Sequence, residues 1–306
     1  MRAIVTGGAG FIGSHVADAL AARGDDVLVV DDLSNGKRER VGARARFEQV
    51  DIRDGEAIEA AFAAARPEAV FHLAAQADVR RSVDDPAFDA EVNVIGTIRV
   101  LEAARRHGAQ VVFTSTGGAI YGECERPAPK DAPRQPLSPY GTSKLAGEEY
   151  LASANRLYGS GHVALRLGNV YGPRQDPHGE AGVVAIFLGR LARGEAPTIF
   201  GDGRQTRDYV YVGDVVDATL RAVGKDGGVF NVGTGAETSV LELAEAAMRV
   251  SGVQLEARFA EARLGELLRS SLDPALAERE LGFRAATSLD DGLAATWRSI
   301  RAEGSP

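Results

Sequence analysis

The stretch that decides the fold is IVTGGAGFIGSHV, residues 4–16. It opens with apolar and β-branched residues that predict a buried strand, and a helical pattern follows the glycines. Gly7, Gly8, Gly10 and Gly13 satisfy both G-x-x-G-x-x-G and G-x-G-x-x-G spacing. Because these positions have no side chains, backbone N–H groups can approach a pyrophosphate at the positive end of the helix. The stretch therefore predicts a dinucleotide-binding strand–turn–helix unit.

A carboxylate stands at the end of the next predicted strand. The apolar run VLVV is followed by Asp31 and Asp32. Asp31 lies at roughly the separation from the glycines expected for an acid that binds the adenosine ribose. The same charge repels a 2′-phosphate, so Asp31 favours NAD over NADP. The alternative is a glycine turn followed by a solvated acidic pair, but strand, glycines, helix and acid occur in the register of a nucleotide site.

Apolar runs alternate with alanine-rich helical patterns through the first half of the chain. Such alternation predicts an α/β fold with a Rossmann-like doubly wound parallel sheet. We assign residues 1–167 to an NAD-binding Rossmann domain and residues 168–306 mainly to a smaller mixed α/β lobe that binds substrate, with an approximate boundary that strands can cross. The predicted strands of the domain are AIVTG, VLVVDD, AVFHLAA, VVFTST and VALRLGNV; the lobe has TIF, YVYV, VFNVG and a helix over residues 239–250.

Composition excludes several classes of function. The formal charge is −8, so most of the surface repels nucleic acid and we expect no nucleic-acid partner. Cys124 is the only cysteine, which excludes a cysteine-built metal cluster and suits a reducing cytoplasm. No apolar run approaches membrane-spanning length and the N-terminus reads directly as a strand, so we expect a soluble, unprocessed protein with no membrane partner. His178 has no second histidine at ligand spacing, and no metal is expected.

The segment SPYGTSK, residues 138–144, separates a tyrosine from a lysine by four positions. On a helix such residues share one face, so the ammonium of Lys144 can lie near the phenol of Tyr140. A tyrosine has a pKa of about 10, and about 4 kcal/mol of preferential stabilisation of the phenolate would bring it near 7. Lys144 and the positive nicotinamide of NAD both act in that direction. The alternative is a core aromatic followed by a solvated lysine.

Eight motifs carry a resemblance to a known family, in chain order TGGAGFIG, VDDLSNGK, DIRD, FHLAAQ, STGGAIYG, SPYGTSK, LRLGNVYGPRQ and GDGRQTRDYVYVGDV. They cover nearly the whole chain and resemble the extended short-chain dehydrogenase/reductase family, most closely its UDP-glucose 4-epimerase type. The resemblance implies Tyr140 as catalytic base and Lys144 as its electrostatic partner. It also implies a hydroxyl near TST as the third member. Counting forward from VVF selects Thr116, whereas counting back from Tyr121 selects Gly117, which has no hydroxyl; we choose Thr116, with Ser115 as the second choice.

The resemblance also separates related reactions. Relatives that eliminate water carry an acid directly after the catalytic hydroxyl, because elimination needs an acid and a base. Gly117 and Gly118 occupy those positions here, so elimination is disfavoured, and decarboxylation likewise. The remaining reaction is 4-epimerisation of UDP-glucose and UDP-galactose. Tyr140 removes the O4 proton, a hydride passes from C4 to NAD, and the 4-keto sugar turns over and takes the hydride back on its other face.

Family motifs assign the binding residues. The implied NAD contacts are Gly7, Gly10, Phe11, Ile12, Gly13, Asp31, Asn35, Asp51, Ile52, Leu73, Ala74, Ala75, Gln76, Asn93, Tyr140 and Lys144. The implied substrate contacts are Ser115, Thr116, Asn169 and Arg207 and Arg263 for the diphosphate, Glu266 for the ribose, Val184, Thr198 and Phe200 for uracil and ribose, and Ser270 in the sugar pocket. Guanidinium groups suit phosphate oxygens. Because Ser270 is small, N-acetylated UDP-hexosamines are expected as further substrates.

Other functions remain open at this point. A UDP-glucuronate 4-epimerase is one alternative, and another NAD-dependent nucleotide-sugar oxidoreductase, which would release NADH, is a second. A non-enzymatic NAD-binding regulator is a distant third, since Tyr-x-x-x-Lys is retained. His72 is expected to be a satisfied strand-end histidine. The helical patterns over residues 91–104 and 138–159 resemble those that pair in family dimers, so we expect a homodimer, although their periodicity fits a core face equally well.

Overall fold

The computed structural model describes residues 1–176, 182–262 and 267–303. The strands are β1 (Arg2–Thr6), β2 (Asp26–Asp31), β3 (Arg46–Gln49), β4 (Ala69–His72), β5 (Gln110–Thr116), β6 (Val163–Leu167), β7 (Asn169–Tyr171), β8 (Thr198–Phe200), β9 (Thr206–Arg207), β10 (Tyr209–Tyr211), β11 (Gly228–Val232), β12 (Thr238–Ser239), β13 (Arg258–Ala260) and β14 (Arg269–Ser270). The helices are α1 (Phe11–Ala22), α2 (Gly55–Ala65), α3 (Val79–Asp84), α4 (Pro86–Ala90), α5 (Thr97–His107), α6 (Gly117–Ile120), α7 (Pro139–Tyr158), α8 (Val183–Ala192), α9 (Val212–Arg221), α10 (Val240–Ser251), α11 (Ala275–Leu281) and α12 (Leu289–Glu303). A 3₁₀ turn occupies Arg38–Arg40, and a π-helical segment, Glu91–Gly96, leads into α5.

Seven strands form the main sheet, in the order β11-β6-β5-β4-β1-β2-β3. The strand β1 pairs in parallel with β2 and β4, which pair in parallel with β3 and β5. The order β3-β2-β1-β4-β5-β6 within it is that of the doubly wound nucleotide-binding fold, and β11 extends the sheet beyond β6. The first strands are apolar because both faces are covered: Ile4, Leu28 and Val70 are fully or almost fully buried in one core cluster with Phe62 and Phe113 of α2 and β5. The predicted Rossmann-like parallel sheet is confirmed.

Short polar side chains begin the helices that cover the sheet. Asp54, Asp78 and Asp85 accept hydrogen bonds from the first free backbone N–H groups of α2, α3 and α4. Ser138 does the same for α7, and Gly159 ends that helix in the left-handed conformation. Within the described part of the chain, no helix combines the length and apolarity that crossing a membrane requires.

The chain divides into two compact units that both draw on separated segments. The first unit takes residues 1–120, 135–166 and 216–230, and the second takes 121–134, 167–215 and 231–306. The segment VFNVG was predicted to belong to the smaller lobe, but most of it forms β11, the edge strand of the main sheet beside β6. A five-residue apolar strand has the same sequence pattern in the main sheet as in a small one. Its sequence therefore does not reveal that the chain comes back to the main sheet at β11.

The second unit has its own core and short strands. Phe187, Leu188, Ile199, Leu243 and Leu293 are almost fully buried in one cluster. Here β7 pairs with β10 and β8 with β13, both in parallel, and β9 lies between β12 and β14. The helix predicted over residues 239–250 is present as α10, where Ser239 and Glu242 form a reciprocal capping box.

Candidate active site

Steric contacts explain the glycines after β1. Gly7 has φ +68°, and a Cβ at this position would lie 2.6 Å from the backbone N of Ala74. A Cβ on Gly13 would lie 2.1 Å from the carbonyl oxygen of Gly7, closer than any side chain allows. Helix α1 therefore packs directly on the turn, and its first residue, Phe11, follows Gly10 without a side-chain cap. The N–H groups of this uncapped helix start fit a dinucleotide pyrophosphate.

Asp31 at the end of β2 holds the same turn from the other side. Its carboxylate accepts hydrogen bonds from Ala9 N at 2.9 Å and Leu33 N at 2.8 Å. The side chain is almost fully buried, and burial raises the pKa of Asp31 above its ordinary value. A carboxylate has about four acceptor positions, so two remain for ribose hydroxyls. Asn35, the next predicted contact, is exposed on the loop after β2.

The remaining predicted cofactor residues follow β3 and β4. Asp51 binds Arg53 through two oxygens, with a closest Nη2–Oδ2 distance of 2.6 Å, and hydrogen bonding to Arg53 lowers the pKa of Asp51. Ile52 is buried. Leu73 donates its N–H to the Thr6 carbonyl at 3.1 Å, so the half-buried residues Leu73, Ala74 and Ala75 lie beside the glycine turn.

Gln76 and Asn93 belong to a buried polar network that the sequence did not reveal. Their side-chain amides both donate to Oδ1 of Asp89, each at 3.0 Å. Asn93 also accepts from Gln76 N at 2.9 Å and donates to Gln76 O at 2.8 Å, while the Gln76 amide binds the backbone of Asp78. Protein groups thus occupy both amides, although both were predicted as cofactor contacts. Asp89 is 1% exposed, and its Oδ2 has no hydrogen-bond partner among the described residues.

Tyr140 and Thr116 are brought together by α7 and the end of β5. Helix α7 begins at Pro139, and Tyr140 is its second residue. Thr116 interacts with the phenol and acts to lower its pKa, whereas the hydroxyl of Ser115 donates to Glu148 at 2.5 Å. Burial raises the pKa of Tyr140 to about 12; the charge of Asp89 adds to the rise, and the Thr116 hydrogen bond opposes it. The protein groups alone therefore hold the phenol in its neutral form.

Lys144 lies one turn further along the same face of α7. Its side chain is buried, with Nζ 4.4 Å from the centroid of the Phe113 ring. Burial lowers the pKa of Lys144 to about 8, while the negative charges of Glu148 and Asp89 act to raise it. Glu148, one turn beyond, forms an ion pair with Arg166 at 2.6 Å, and both side chains are 3% exposed.

His72 is fully buried and fully hydrogen-bonded. Its Nδ1 lies 2.7 Å from the Thr6 hydroxyl and its Nε2 lies 3.0 Å from the Thr97 hydroxyl. Burial lowers the pKa of His72 to about 3. With both ring nitrogens engaged by threonines, His72 has the environment of a core residue and not of a proton acceptor.

In the second unit, Arg207 and Ser270 are direct neighbours across the parallel strands β9 and β14. The Arg207 guanidinium donates to the carbonyls of Thr206 at 2.8 Å and Leu267 at 2.9 Å, and Ser270 is 5% exposed. Asp208, which directly follows β9, is buried. Its carboxylate accepts a hydrogen bond from Thr234 N at 2.8 Å, among other donors, and so fixes the end of β9. The role of Asp208 was not predicted.

The other predicted substrate residues are more dispersed. Asn169 begins β7 and donates its N–H to the Asp208 carbonyl at 2.7 Å. Thr198 and Phe200 lie on β8, where the Thr198 hydroxyl accepts a hydrogen bond from Arg190. Val184 is 1% exposed and belongs to the core of the second unit. Arg263 and Glu266, like His178, lie outside the described residues.

Most of the chain resembles known proteins. The model of the NAD dependent epimerase/dehydratase family matches residues 3–233. The UDP-glucose 4-epimerase of Mycolicibacterium smegmatis is 50% identical over 310 residues, which cover 98% of this chain and 99% of that protein. The match thus extends through both compact units.

Two solved structures resemble this chain over almost its full length. One is the UDP-glucose 4-epimerase of Thermotoga maritima with UDP-glucose: TM-score 0.96, 48% identity, and 99% of each chain covered. The other is the UDP-glucose 4-epimerase of Thermus thermophilus in complex with NAD: TM-score 0.93, 47% identity, and 98% of this chain and 99% of that chain covered. Their ligands are a dinucleotide and a nucleotide sugar.

Proposed function

Because the chain belongs to the NAD dependent epimerase/dehydratase family, we propose that it is a UDP-glucose 4-epimerase that interconverts UDP-glucose and UDP-galactose with bound NAD. The observation that supports this most directly is that α7 carries Tyr140 and the buried Lys144 one helical turn apart, with Thr116 at the end of β5 acting on the phenol. Relatives that share up to half of the sequence have the same name.

The residues after β1 and β2 fit NAD. The N–H groups at the start of α1 would bind its pyrophosphate, and Asp31 would accept from the hydroxyls of its adenosine ribose. The Asp31 carboxylate would repel a 2′-phosphate, so NAD is favoured over NADP. Ile52 and the segment Leu73–Ala75 would contact the rest of the dinucleotide. When bound, NAD supplies a reversible two-electron oxidant for C4 of the sugar.

Tyr140 is the proposed base that takes the proton from O4 and returns it. Lowering the pKa of its phenol from about 12 to near 7 corresponds to about five pH units, on the order of 7 kcal/mol. Positive charge in the complete site must supply this stabilisation of the phenolate, and Lys144 is the cation that the chain provides. Thr116 is the proposed hydroxyl that hydrogen-bonds both the phenol and the sugar oxygen, and Ser115 is the second choice.

The residues after Thr116 support epimerisation over elimination. Elimination of water from the sugar needs a general acid beside the hydroxyl. Gly117 and Gly118 start α6 at this point and have no side-chain proton to give. Oxidation and reduction at C4 need no such acid, so the residues present suffice for inversion at that carbon.

Binding energy for the substrate is proposed to come from its nucleotide diphosphate, because the sugar must turn over while the rest stays fixed. Arg207 and Asn169 are the proposed diphosphate contacts, and Thr198 and Phe200 are proposed for uracil and ribose. Arg263 and Glu266 remain proposed contacts on sequence grounds. Ser270, the neighbour of Arg207, is proposed to leave room for a 2-acetamido group on the sugar.

We also propose a cytoplasmic homodimer. Four large side chains with apolar surface stand exposed on the π-helical segment and on α7: Ile95 is 45% exposed, Tyr150 48%, Leu157 69% and Tyr158 56%. A second copy that covers these residues would remove them from water. Replacing Tyr150 by glutamate should then give a monomer in sedimentation at a concentration where the parent is dimeric; unchanged sedimentation would contradict this interface.

The function is tested by separate incubation with UDP-glucose, UDP-N-acetylglucosamine and UDP-glucuronate, followed by resolution of the C4 epimers by NMR. We expect UDP-galactose from UDP-glucose and no net release of NADH. Product from UDP-glucuronate alone would identify a uronate epimerase. Stoichiometric NADH release would identify an oxidoreductase, and no product from any of the three would contradict an enzymatic role on these sugars.

A further inference from the structure

We propose that Asp89 is a positioning residue of this site: its buried carboxylate holds the helical turn that contains Tyr140 through Asn93 and Ser143, and its negative charge acts on Lys144. The kinetic part of this inference rests on the proposed epimerase function. The electrostatic part does not, because it concerns the protonation of a side chain of the protein itself.

A continuous chain of hydrogen bonds, buried as far as Ser143, joins Asp89 to the backbone of Tyr140. Asp89 Oδ1 accepts from Asn93 Nδ2 at 3.0 Å, and the same nitrogen lies 3.1 Å from the hydroxyl of Ser143. That hydroxyl donates to the carbonyl oxygen of Tyr140 at 3.0 Å. The second donor to Oδ1, Gln76 Nε2, ties the loop after β4 to the same carboxylate. Asp89 thus connects α4, the π-helical segment and α7.

Glu148 and Asp89 are the two buried acids whose charges act on Lys144. Two cations, Lys144 and Arg166, and two carboxylates, Asp89 and Glu148, are all almost fully buried. Arg166 and Glu148 form their own close ion pair, with three nitrogen–oxygen distances of 2.6 to 3.1 Å. Glu148 acts on Lys144 more strongly than Asp89 does but is shared with Arg166, and Asp89 is the second acid whose charge acts on Lys144. Its Oδ2 is buried without a hydrogen-bond partner in the described residues. An unbalanced buried charge is costly.

The directions of the pKa shifts agree with this geometry. The charge of Asp89 raises the pKa of Lys144 and also raises that of Tyr140. Removing a negative charge disfavours a cation and favours an anion, so both pKa values should fall in its absence. The other groups that act on this pair are Glu148, and His72, which interacts unfavourably with Lys144.

The direct test is a titration of Lys144 in Asp89→Asn, which keeps the size of the side chain and removes its charge. The chain has four lysines, Lys37, Lys130, Lys144 and Lys225, so ¹³C-lysine labelling gives a simple NMR spectrum, and Lys144→Met assigns the signal. We expect Lys144 to titrate near pH 8 in the parent and about one pH unit lower in Asp89→Asn. An unchanged midpoint would overturn the proposal.

The pH profile of epimerisation is the second test. The acid limb of the pH–rate profile reflects the ionisation of Tyr140, and the alkaline limb reflects that of Lys144. Asp89→Asn should therefore move both limbs to lower pH. Asp89→Glu restores the charge, so it should return both limbs of the profile towards those of the parent. Asp84→Asn, an exposed acid on α3, is the matched control and should leave them unmoved.

The outcomes separate the two proposals. Loss of activity in Asp89→Asn with both limbs in place would mean that Asp89 is only structural, which overturns the inference. A parent protein without epimerase activity would contradict the proposed function, while the NMR titration would still decide the role of Asp89. A lowered lysine midpoint together with shifted limbs supports both.

Discussion

Arg166 and Glu148 form an ion pair that is closed to solvent, with Nη2 2.6 Å from Oε2 and each side chain 3% exposed. Ser115 donates a further hydrogen bond to the same carboxylate at 2.5 Å. Glu148 lies one helical turn after Lys144, so this pair forms the buried support of the catalytic face of α7.

Replacing Glu148 by glutamine should destabilise the protein by about 3–5 kcal/mol, because it leaves the Arg166 charge buried without a counter-charge. Urea unfolding measures the difference. Glu149→Gln, the exposed neighbour on the same helix, is the control and should change the unfolding free energy by less than about 0.5 kcal/mol. Equal effects of the two substitutions would contradict this role of the ion pair.

Tyr140→Phe should reduce turnover by about 10²–10⁴-fold, the usual contribution of a general base. NAD binding should stay largely intact, since the phenol oxygen is only one of many proposed contacts. NMR of the epimers measures the first quantity and fluorescence titration with the dinucleotide the second. Tyr158→Phe, at the exposed end of α7, is the matched control, and turnover that survives in Tyr140→Phe would refute the assigned base.

Gly13→Ala should abolish NAD binding and lower stability, because the new Cβ would lie 2.1 Å from the Gly7 carbonyl oxygen. Gly10→Ala offers a graded comparison, since its Cβ would lie 3.1 Å from the same oxygen, and it should cost less stability. Thermal unfolding with and without NAD measures both effects. If Gly13→Ala were as stable as the parent, the close packing of α1 on the turn would be wrong.

Stability should fall as the pH drops below about 6.5, the ordinary pKa of histidine. Burial lowers the pKa of His72 to about 3 and that of His162 to about 4. Both histidines are neutral in the folded protein, whereas the unfolded chain binds protons below pH 6.5, so the stability present above that pH is lost towards pH 4 and 3. Each histidine contributes about 1.4 kcal/mol per pH unit.

Denaturant unfolding across pH 4–7 checks this, with His162→Gln and His72→Gln as the comparison proteins. Each substitution should reduce the slope by about 1.4 kcal/mol per pH unit relative to the parent. The difference between parent and variant isolates the histidine from the carboxylates that titrate in the same range. An unaltered slope would show that the histidine is protonated in the folded state.

Ser270→Tyr should suppress epimerisation of N-acetylated UDP-hexosamines more strongly than that of UDP-glucose, because the larger ring would occupy the space proposed for the acetamido group. Ser270→Ala, which removes the hydroxyl and adds no volume, should leave the ratio of the two activities unchanged. Competition between the two substrates in one reaction gives the ratio directly. An equal loss on both sugars in Ser270→Tyr would contradict the proposed role of this position.

The sequence predicted what depends on local pattern and spacing. The glycines after β1, the acid after β2 and the helix from Pro139 all follow from residue order, and the parallel sheet follows from the alternation of apolar runs. It did not reveal the buried acids Asp89 and Glu148, because exposed and buried carboxylates look alike in a sequence, and only the fold shows which are enclosed.

The edge strand β11 illustrates a second limit of sequence-based prediction, since the sequence of a short apolar strand does not indicate which strands it pairs with. Its position has a further consequence for how the chain must be made. The main sheet stays incomplete until residue 232 has been synthesised, so a fragment that stops near residue 167 would leave β6 with an open side. About three quarters of the polypeptide must therefore be synthesised before the main sheet can be complete. Because each compact unit is built from separated segments, neither can be excised or transferred as one continuous piece.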